Sequence, residues 1–328
     1  MRMEMDSHIT YIELKEYVQR VFGSSYHLAE QTKSQGGAQK AIYKVICTNG
    51  FACMLYVWDI SSNYFQEELL SEPTFQSSYG SSLFTMNTDF LHNHGIRTPA
   101  LYDLNNDRKR HHFDFALVEY IEGKTAEDYF QHTDSITKER LFQRIGDMVS
   151  GMHQIERNMY GKVHNPNHKE TTCSKLKLID AAKSLTYASK YLLRVKENYK
   201  QLLEKLYELE SQIQPRSRYH FIHDELGPNH ILVDHQMQPC LIDIEGAGFF
   251  DLEHEHSFIA LRFGEFYRYF EQKNLDPIRM SFYRYCHHLS LVAGGLKLLH
   301  RQFPDQQFAR NLAAYHSKQV IEMLTEIR

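Results

Sequence analysis

Apolar residues recur at helical spacing through residues 11–22, YIELKEYVQRVF, and predict a short amphipathic helix. The period then shortens. YHLAEQ (26–31), KAIYKVIC (40–47) and FACMLYVW (51–58) read as strands rich in β-branched and aromatic residues. The first two are separated by the polar turn TKSQGGAQ. The second and third are separated by Thr48-Asn49-Gly50, whose Asn-Gly pair is a strong hairpin signal. A local antiparallel meander follows from this order, with a looser polar segment over 59–80.

Residues 81–94, SSLFTMNTDFLHNH, predict a helix closed by Gly95. Pro99 opens the strand-like PALYDL, and FDFALVEYI (113–121) is a further strand that ends at Glu122-Gly123. From about residue 125 helical patterns dominate. Residues 138–155 form one helix, and 175–213 form either one long helix or a broken one. In the latter segment Leu192, Val195, Tyr199, Leu202, Leu206, Leu209 and Ile213 recur every three or four positions, the stripe of a core-facing helix. Residues 279–328 form a helical tail. Set into this helical part, ILVD (231–234) and PCLIDIEG (239–246) flank a polar turn. The pattern is that of a small antiparallel β lobe with one main helix, followed by a larger and mostly helical lobe.

Composition narrows the classes. A chain of 328 residues holds one large domain or two lobes with separate cores. With 42% hydrophobic and 24% charged residues it is an ordinary globular sequence, and a net charge of −4 gives no basic field for nucleic acid. No apolar run is long enough to span a membrane, and MRMEMDSHIT has no apolar signal core. The five cysteines, Cys47, Cys53, Cys173, Cys240 and Cys286, form no C-x-x-C pair, so a reducing cytoplasm is the expected compartment. Oligomeric state is not legible.

The chemistry concentrates in FIHDELGPNHILVD (221–234) and LIDIEGAGFFDLEHE (241–255). Order, spacing and the intervening hairpin resemble the aminoglycoside phosphotransferase family, which shares its fold with choline kinases and, more distantly, protein kinases. In that family H-G-D-L-x-P-x-N-[VI]-L-V-D is followed one hairpin later by I-D-[FW]-[ED]. The resemblance implies an α+β, two-lobe protein-kinase-like fold with a nucleotide-binding lobe over 1–118, a hinge over 119–124 and a helical lobe over 125–328. It implies a small-molecule kinase that uses Mg²⁺ and either ATP or GTP, with a small-molecule acceptor and neither nucleic-acid nor membrane partner.

Residue by residue, the resemblance puts the proton-accepting carboxylate at Glu225; Asp224 takes its place only if the register shifts by one residue. Asp243 matches the metal-binding Asp. The family's metal-binding Asn falls on His230, as in macrolide kinases, where it is either a ligand or a hydrogen-bonding group of the loop. Glu245 is a possible supporting acid, and His223 reads as a structural loop residue. Glu119, Tyr120 and Ile121 match the adenine-binding hinge. Gly36 and Gly37 lie where the phosphate-covering loop would be, although an ordinary hairpin turn explains them equally well.

Two departures stand out. Kinase-like folds pair a strand cation with a helix Glu to hold the phosphates; here those positions carry Tyr56 and either Phe84 or Thr85. Lys44 or Lys40 is then the substitute cation, or each is an exposed strand lysine. The acids Glu245, Asp251, Glu253 and Glu255 either favour a cationic acceptor, as comparable acids do in the family, or are solvated surface groups. Two other readings compete. A catalytically degenerate binding or regulatory module accounts for the departures, and a zinc hydrolase would need EHEH (253–256) with His230 or His235, although a spacing of two does not place both histidines on one helical face.

Overall fold

A computed structural model describes residues 8–34, 37–71, 78–166 and 171–325. The chain divides into two compact units, Met1–Asp128 with His230–Gly246, and Tyr129–Asn229 with Ala247–Arg328. Residues 230–246 thus group with the N-terminal unit, although they lie within the stretch that the sequence assigned to the helical lobe.

The first unit opens with α1 (Tyr11–Phe22), which begins on a capping box: Thr10 accepts from the Glu13 amide while the Glu13 side chain returns to the Thr10 amide. Strands β1 (Leu28–Lys33), β2 (Ala41–Cys47) and β3 (Ala52–Trp58) follow. Next come α2 (Gln66–Ser71), α3 (Ser81–Asn93), β4 (Leu101–Asn105), β5 (Asp114–Glu119) and the short β6 (Gly123–Thr125). The first five strands form one sheet in the order β1-β2-β3-β5-β4 with antiparallel neighbours.

The alternating burial of β2 places Tyr43 and Val45 on the face that α1 covers with Leu14, Tyr17 and Val18. Tyr17 meets Phe115 edge to face at 5.1 Å. On the other face Phe84 of α3 packs against Tyr56 and Trp58, with ring centroids 5.5 and 5.6 Å away. The hairpin Ile231–Asp234 and Pro239–Leu241 pairs with β6 in a second, three-stranded sheet. A side chain at Gly123 would place its Cβ 1.9 Å from the Val233 carbonyl oxygen, so this pairing admits only glycine.

In the second unit, α4 (Ser135–His153), α5 (Cys173–Ser189), α6 (Leu193–Glu197) and α7 (Tyr199–Ser211) precede the strand Tyr219–Ile222. That strand pairs with Gly248–Phe250. Then come α8 (Leu252–Phe263), α9 (Pro277–His300) and α10 (Gln306–Thr325). The 175–213 segment is broken. Its apolar stripe enters the core, with Val195, Leu202 and Leu206 buried against Phe282, Tyr285 and Leu289 of α9. No helix among the described residues is long and apolar enough to cross a membrane, and all five cysteines are free and buried.

Histidines make up an unusual share of this unit's interior. His153, His254, His256, His287, His288 and His316 are all buried, and the His288 and His316 rings meet Nδ1 to Nδ1 at 2.8 Å between α9 and α10. Burial pushes His287 and His288 down to about 4, His153 and His316 to about 3, and His256 to about 2. These rings stay neutral in the fold at pH values where the unfolded chain protonates them. Their stabilisation is present above about pH 6.5 and is lost as pH falls toward the folded values, at about 2 kcal/mol per ring by pH 5. The melting temperature should therefore drop steeply between pH 6.5 and 5 when followed by circular dichroism; a flat profile across that window would refute the neutral-histidine interior.

Candidate functional site

Within the first unit, the hairpin is held from both sides. The Leu241 amide donates to the Arg97 carbonyl at 2.9 Å, and the Arg97 guanidinium pairs with Asp234. The Ile242 amide donates to the His230 carbonyl at 3.0 Å, which closes the base of the hairpin. As a result His230 and Asp243 face each other, with Nε2 3.6 Å from Oδ2. Asp243 adopts a left-handed backbone, φ 61°, unusual for a residue with a side chain and typical of strained functional positions. From α3, Asn87 Nδ2 donates to the Ile244 carbonyl at 2.7 Å and fixes the next residue of the chain.

Lys40 reaches this corner from the turn before β2. Its Nζ lies 2.5 Å from Asp243 Oδ1 and 2.6 Å from Glu245 Oε1. Burial alone would push the Lys40 ammonium down, but Asp243 and Glu245 outweigh it and hold the group above the ordinary lysine range. Trp58 Nε1 also donates to Glu245 Oε1, at 3.0 Å. The three exposures differ: the Lys40 and Glu245 side chains are 6% and 5% exposed, whereas that of Asp243 is 45% exposed. Glu245 is therefore an internal anchor, and Asp243 the carboxylate open to a ligand.

The positions that the sequence assigned to phosphate and adenine fare unequally. Tyr56 is buried and neutral at the strand position, and Phe84 packs against it, so no ion pair forms there. A lysine–carboxylate pair exists nonetheless, built from Lys40 and Glu245. Lys44 is directed elsewhere, its Nζ 3.9 Å from the centroid of the Tyr120 ring. Gly37 takes φ 87°, as a tight turn requires, while Gly36 lies outside the described residues. Glu119 is tied into the sheet: its amide donates to the Ala100 carbonyl at 2.8 Å, and its Oε2 accepts from the Ala100 amide at 3.0 Å. Tyr120 is half-buried and Ile121 buried.

In the second unit, residues 223–226 form a loop shaped by one buried carboxylate. Glu255 on α8 accepts the His223 amide at 3.0 Å and the Asp224 amide at 2.7 Å, and its Oε1 sits 3.3 Å from His153 Nε2. Asp224 has φ 82°, the conformation in which glycine is the default residue. That backbone agrees with the register in which Asp224 stands at the family's Gly position and Glu225 at its Asp. Glu225 is exposed and Leu226 buried, so the loop turns Glu225 outward from a pinned base. Asp224 Oδ1 lies 3.7 Å from Lys177 Nζ and 3.5 Å from His254 Nδ1. Burial opposes its ionisation, but Lys177, Lys162 and neighbouring histidines outweigh burial and leave its pKa below the usual carboxylate range. Lys177 carried no signal in the sequence, since nothing in CSKLKLID distinguishes it from a surface lysine.

Both sequence readings of the acidic cluster need correction. Glu245, Asp251, Glu253 and Glu255 are buried, neither solvated nor available to a cationic acceptor. Asp251 binds Arg279 and accepts from Tyr283 Oη at 2.5 Å. Glu253 pairs with Arg216 at 2.8 Å and accepts the Asp276 amide at 3.1 Å. The histidines of EHEH are equally internal: His254 faces Asp224, and His256 Nδ1 lies 3.2 Å from Tyr267 Oη. Among the described residues no group of three or more His, Cys, Asp or Glu side chains is placed to hold a metal by itself.

The profile of the phosphotransferase enzyme family (APH) matches residues 83–277, more than half of the chain, and the chain belongs to that family. Among solved structures it is similar to aminoglycoside phosphotransferase APH(4)-Ia, with a TM-score of 0.65 and 15% identity over 96% of this chain and 98% of that one. It is also similar to spectinomycin phosphotransferase APH(9)-Ia (0.64, 16%, 97% and 98%). Choline kinase LicA from Streptococcus pneumoniae is a further structural match (0.61, 13%, 96% and 98%). The fold is thus the α+β, protein-kinase-like fold expected from the sequence. No curated protein sequence matches the chain.

Burial pushes Glu255 up from 4.5 to about 7, partly offset by His223 and the two loop amides. A carboxyl raised in the fold contributes stability that is fully present below about pH 4.5 and lost as pH rises through 7, about 3 kcal/mol in all. Glu255→Gln removes that titration while weakening the loop bonds. The stability difference between wild type and Glu255→Gln, measured by urea unfolding, should shift by that amount against wild type from pH 4.5 to 8. A pH-independent difference would show that Glu255 does not titrate in this range.

Proposed function

We propose that the chain is an ATP- or GTP-dependent O-phosphotransferase that moves the terminal phosphoryl group of the nucleotide to a hydroxyl of a small molecule. The observation that carries this reading is Asp243: a half-exposed carboxylate, held in a left-handed backbone at the end of a pinned hairpin. Family membership supports it. So do the structural relatives, of which a thermostable mutant of APH(4)-Ia was crystallised with ADP and hygromycin B and the spectinomycin enzyme with ADP and spectinomycin. An amino-bearing antibiotic or metabolite is accordingly the acceptor class we favour.

The residues around Asp243 suit a hard cation. Asp243 and Glu245 supply oxygen, and the buried Oε2 of Glu245 makes no hydrogen bond among the described residues. Mg²⁺ is commonly bound through one or two carboxylates with nucleotide phosphates completing its shell. Asp243 would hold it, with His230 beside it as a further ligand or as the group that orients Oδ2. When bound, the metal supplies charge that offsets the phosphates. We assign Glu119, Tyr120 and Ile121 to adenine recognition through their backbone, and the turn at Gly37 to phosphate. In this reading residues 1–118 bind nucleotide, 119–124 are the hinge and 125–328 carry the catalytic loop and the metal site. Glu225 orients the acceptor hydroxyl and takes its proton, while Asp224, held by Lys177 and His254, sets the loop.

A second reading is favoured by one observation, the Lys40 ammonium already bonded to Asp243: a catalytically degenerate, kinase-like binding or regulatory protein. One experiment separates the two. Purified protein is incubated with γ-labelled ATP or GTP, Mg²⁺ and a panel of aminoglycosides, macrolides and amino alcohols. The transferase reading expects labelled product that Asp243→Ala abolishes; a fully active Asp243→Ala enzyme would sink it. Glu225→Gln should lower kcat by about 10²–10³ with little change in nucleotide KM, the scale of a lost general base. If Asp224→Asn lowers kcat while Glu225→Gln does not, the base is Asp224.

A further inference from the structure

The strand position that should carry the phosphate-holding cation carries Tyr56, and the helix position that should carry its acidic partner lies at Phe84 or Thr85. Three facts place a substitute pair in the same corner of the first unit. Lys40 Nζ lies 5.4 Å from the centroid of the Tyr56 ring, beside the strand position that lacks a charge. The same nitrogen contacts Asp243 and Glu245 at 2.5 and 2.6 Å. Glu245 is buried, fixed by Trp58 at 3.0 Å, and its neighbour Ile244 is tied to α3 by Asn87 at 2.7 Å.

The segment that delivers Lys40 is itself held. Tyr64 donates its amide to the Ala38 carbonyl at 2.9 Å, and Asn63 Nδ2 donates to the Gln39 carbonyl at 3.0 Å. The left-handed turn at Gly37 brings the chain close enough that an added Cβ would lie 2.9 Å from the Lys40 carbonyl oxygen. A lysine positioned by three backbone restraints and two carboxylates is more than a surface charge that happens to fold inward. Lys44, the other lysine that the sequence offered for this role, contacts the Tyr120 ring at 3.9 Å.

We propose that Lys40, reaching in from the turn between β1 and β2, is the phosphate-holding cation of this chain, and that Glu245 is its carboxylate partner in place of a helix glutamate. The ligand class is the di- or triphosphate of a nucleotide. The inference rests on the phosphotransferase reading and deepens it: the ion pair that the fold needs is relocated to other elements. Glu245 keeps Lys40 in place, and the contact with exposed Asp243 is the one that a metal-bound nucleotide would exchange. Tyr56 supplies an aromatic face beside the ammonium, where a second cation on the strand would meet Lys40 as a like charge.

The test compares affinities for ATP and adenosine, or GTP and guanosine, whichever pair binds, by titration calorimetry on the full chain with Mg²⁺. The ratio isolates the phosphate contribution from the base contribution, and a merely structural loss would weaken both ligands together. Lys40→Ala should lower the triphosphate-to-nucleoside affinity ratio at least about tenfold, as expected for a lost charge-assisted contact. Lys40→Arg should restore part of it, and Lys44→Ala should leave it unchanged. If Lys40→Ala does not fold, Lys40→Gln, which keeps length and hydrogen bonding without charge, carries the same expectation. An unchanged ratio in a folded, nucleotide-binding Lys40 variant, or a loss seen with Lys44→Ala instead, overturns the proposal and leaves the phosphotransferase reading standing. Failure of the wild type to bind either triphosphate overturns both.

Discussion

The first unit depends on one charge arrangement, the Lys40 ammonium held between Asp243 and Glu245. Two carboxylates two residues apart, one buried and one half exposed, would repel, and a single buried cation resolves that repulsion. Buried ion pairs of this kind contribute little net stability, because desolvation of each partner offsets the attraction. Their cost when one partner is lost makes them specifying: Lys40 must come to this corner, and so must the hairpin that carries Asp243. The unequal exposure of the two acids then divides the labour, with Glu245 as anchor and Asp243 as the group left facing outward.

A comparable economy operates in the second unit. Glu255 spends both oxygens on the amides of His223 and Asp224, which turns a short loop into a fixed shelf for Glu225. Its burial costs ionisation, as its raised pKa shows. The neighbouring histidines accept the same environment by staying neutral. Polar groups are thus packed densely around the loop base, where Glu255, Asp251 and Glu253 bond to neighbouring amides and side chains instead of to water. Such a base holds its outward residues well and tolerates acid poorly.

Much of this architecture was legible in the sequence because it depends on local pattern. The α1 boundaries follow from the 3.6 period, and β2 and β3 follow from apolar runs punctuated by Asn49-Gly50. The loop and hairpin around Asp243 were legible through spacing. What was not legible is long-range. Lys40 meets its carboxylates across more than 200 residues, and no periodicity distinguishes it from Lys44, an even number of residues further along. The acids of 245–255 illustrate the converse failure. Charge in a sequence reads as surface, and only the arrival of Arg216, Arg279 and the loop amides shows that these carboxylates are interior. The missing strand cation at Tyr56 looked like lost function for the same reason, since its replacement lies on another element.

The claim that Asp243 and its neighbours in the first unit serve a nucleotide is tested most directly by the melting temperature of the full chain with ATP or GTP, in the presence and absence of Mg²⁺. A ligand selective for the folded state at a hundred times its Kd adds about 2.7 kcal/mol. The account requires a clear Mg²⁺-dependent rise with one of the nucleotides that Asp243→Asn largely removes. No rise with either nucleotide at millimolar concentration, or an equal rise in Asp243→Asn, would contradict it.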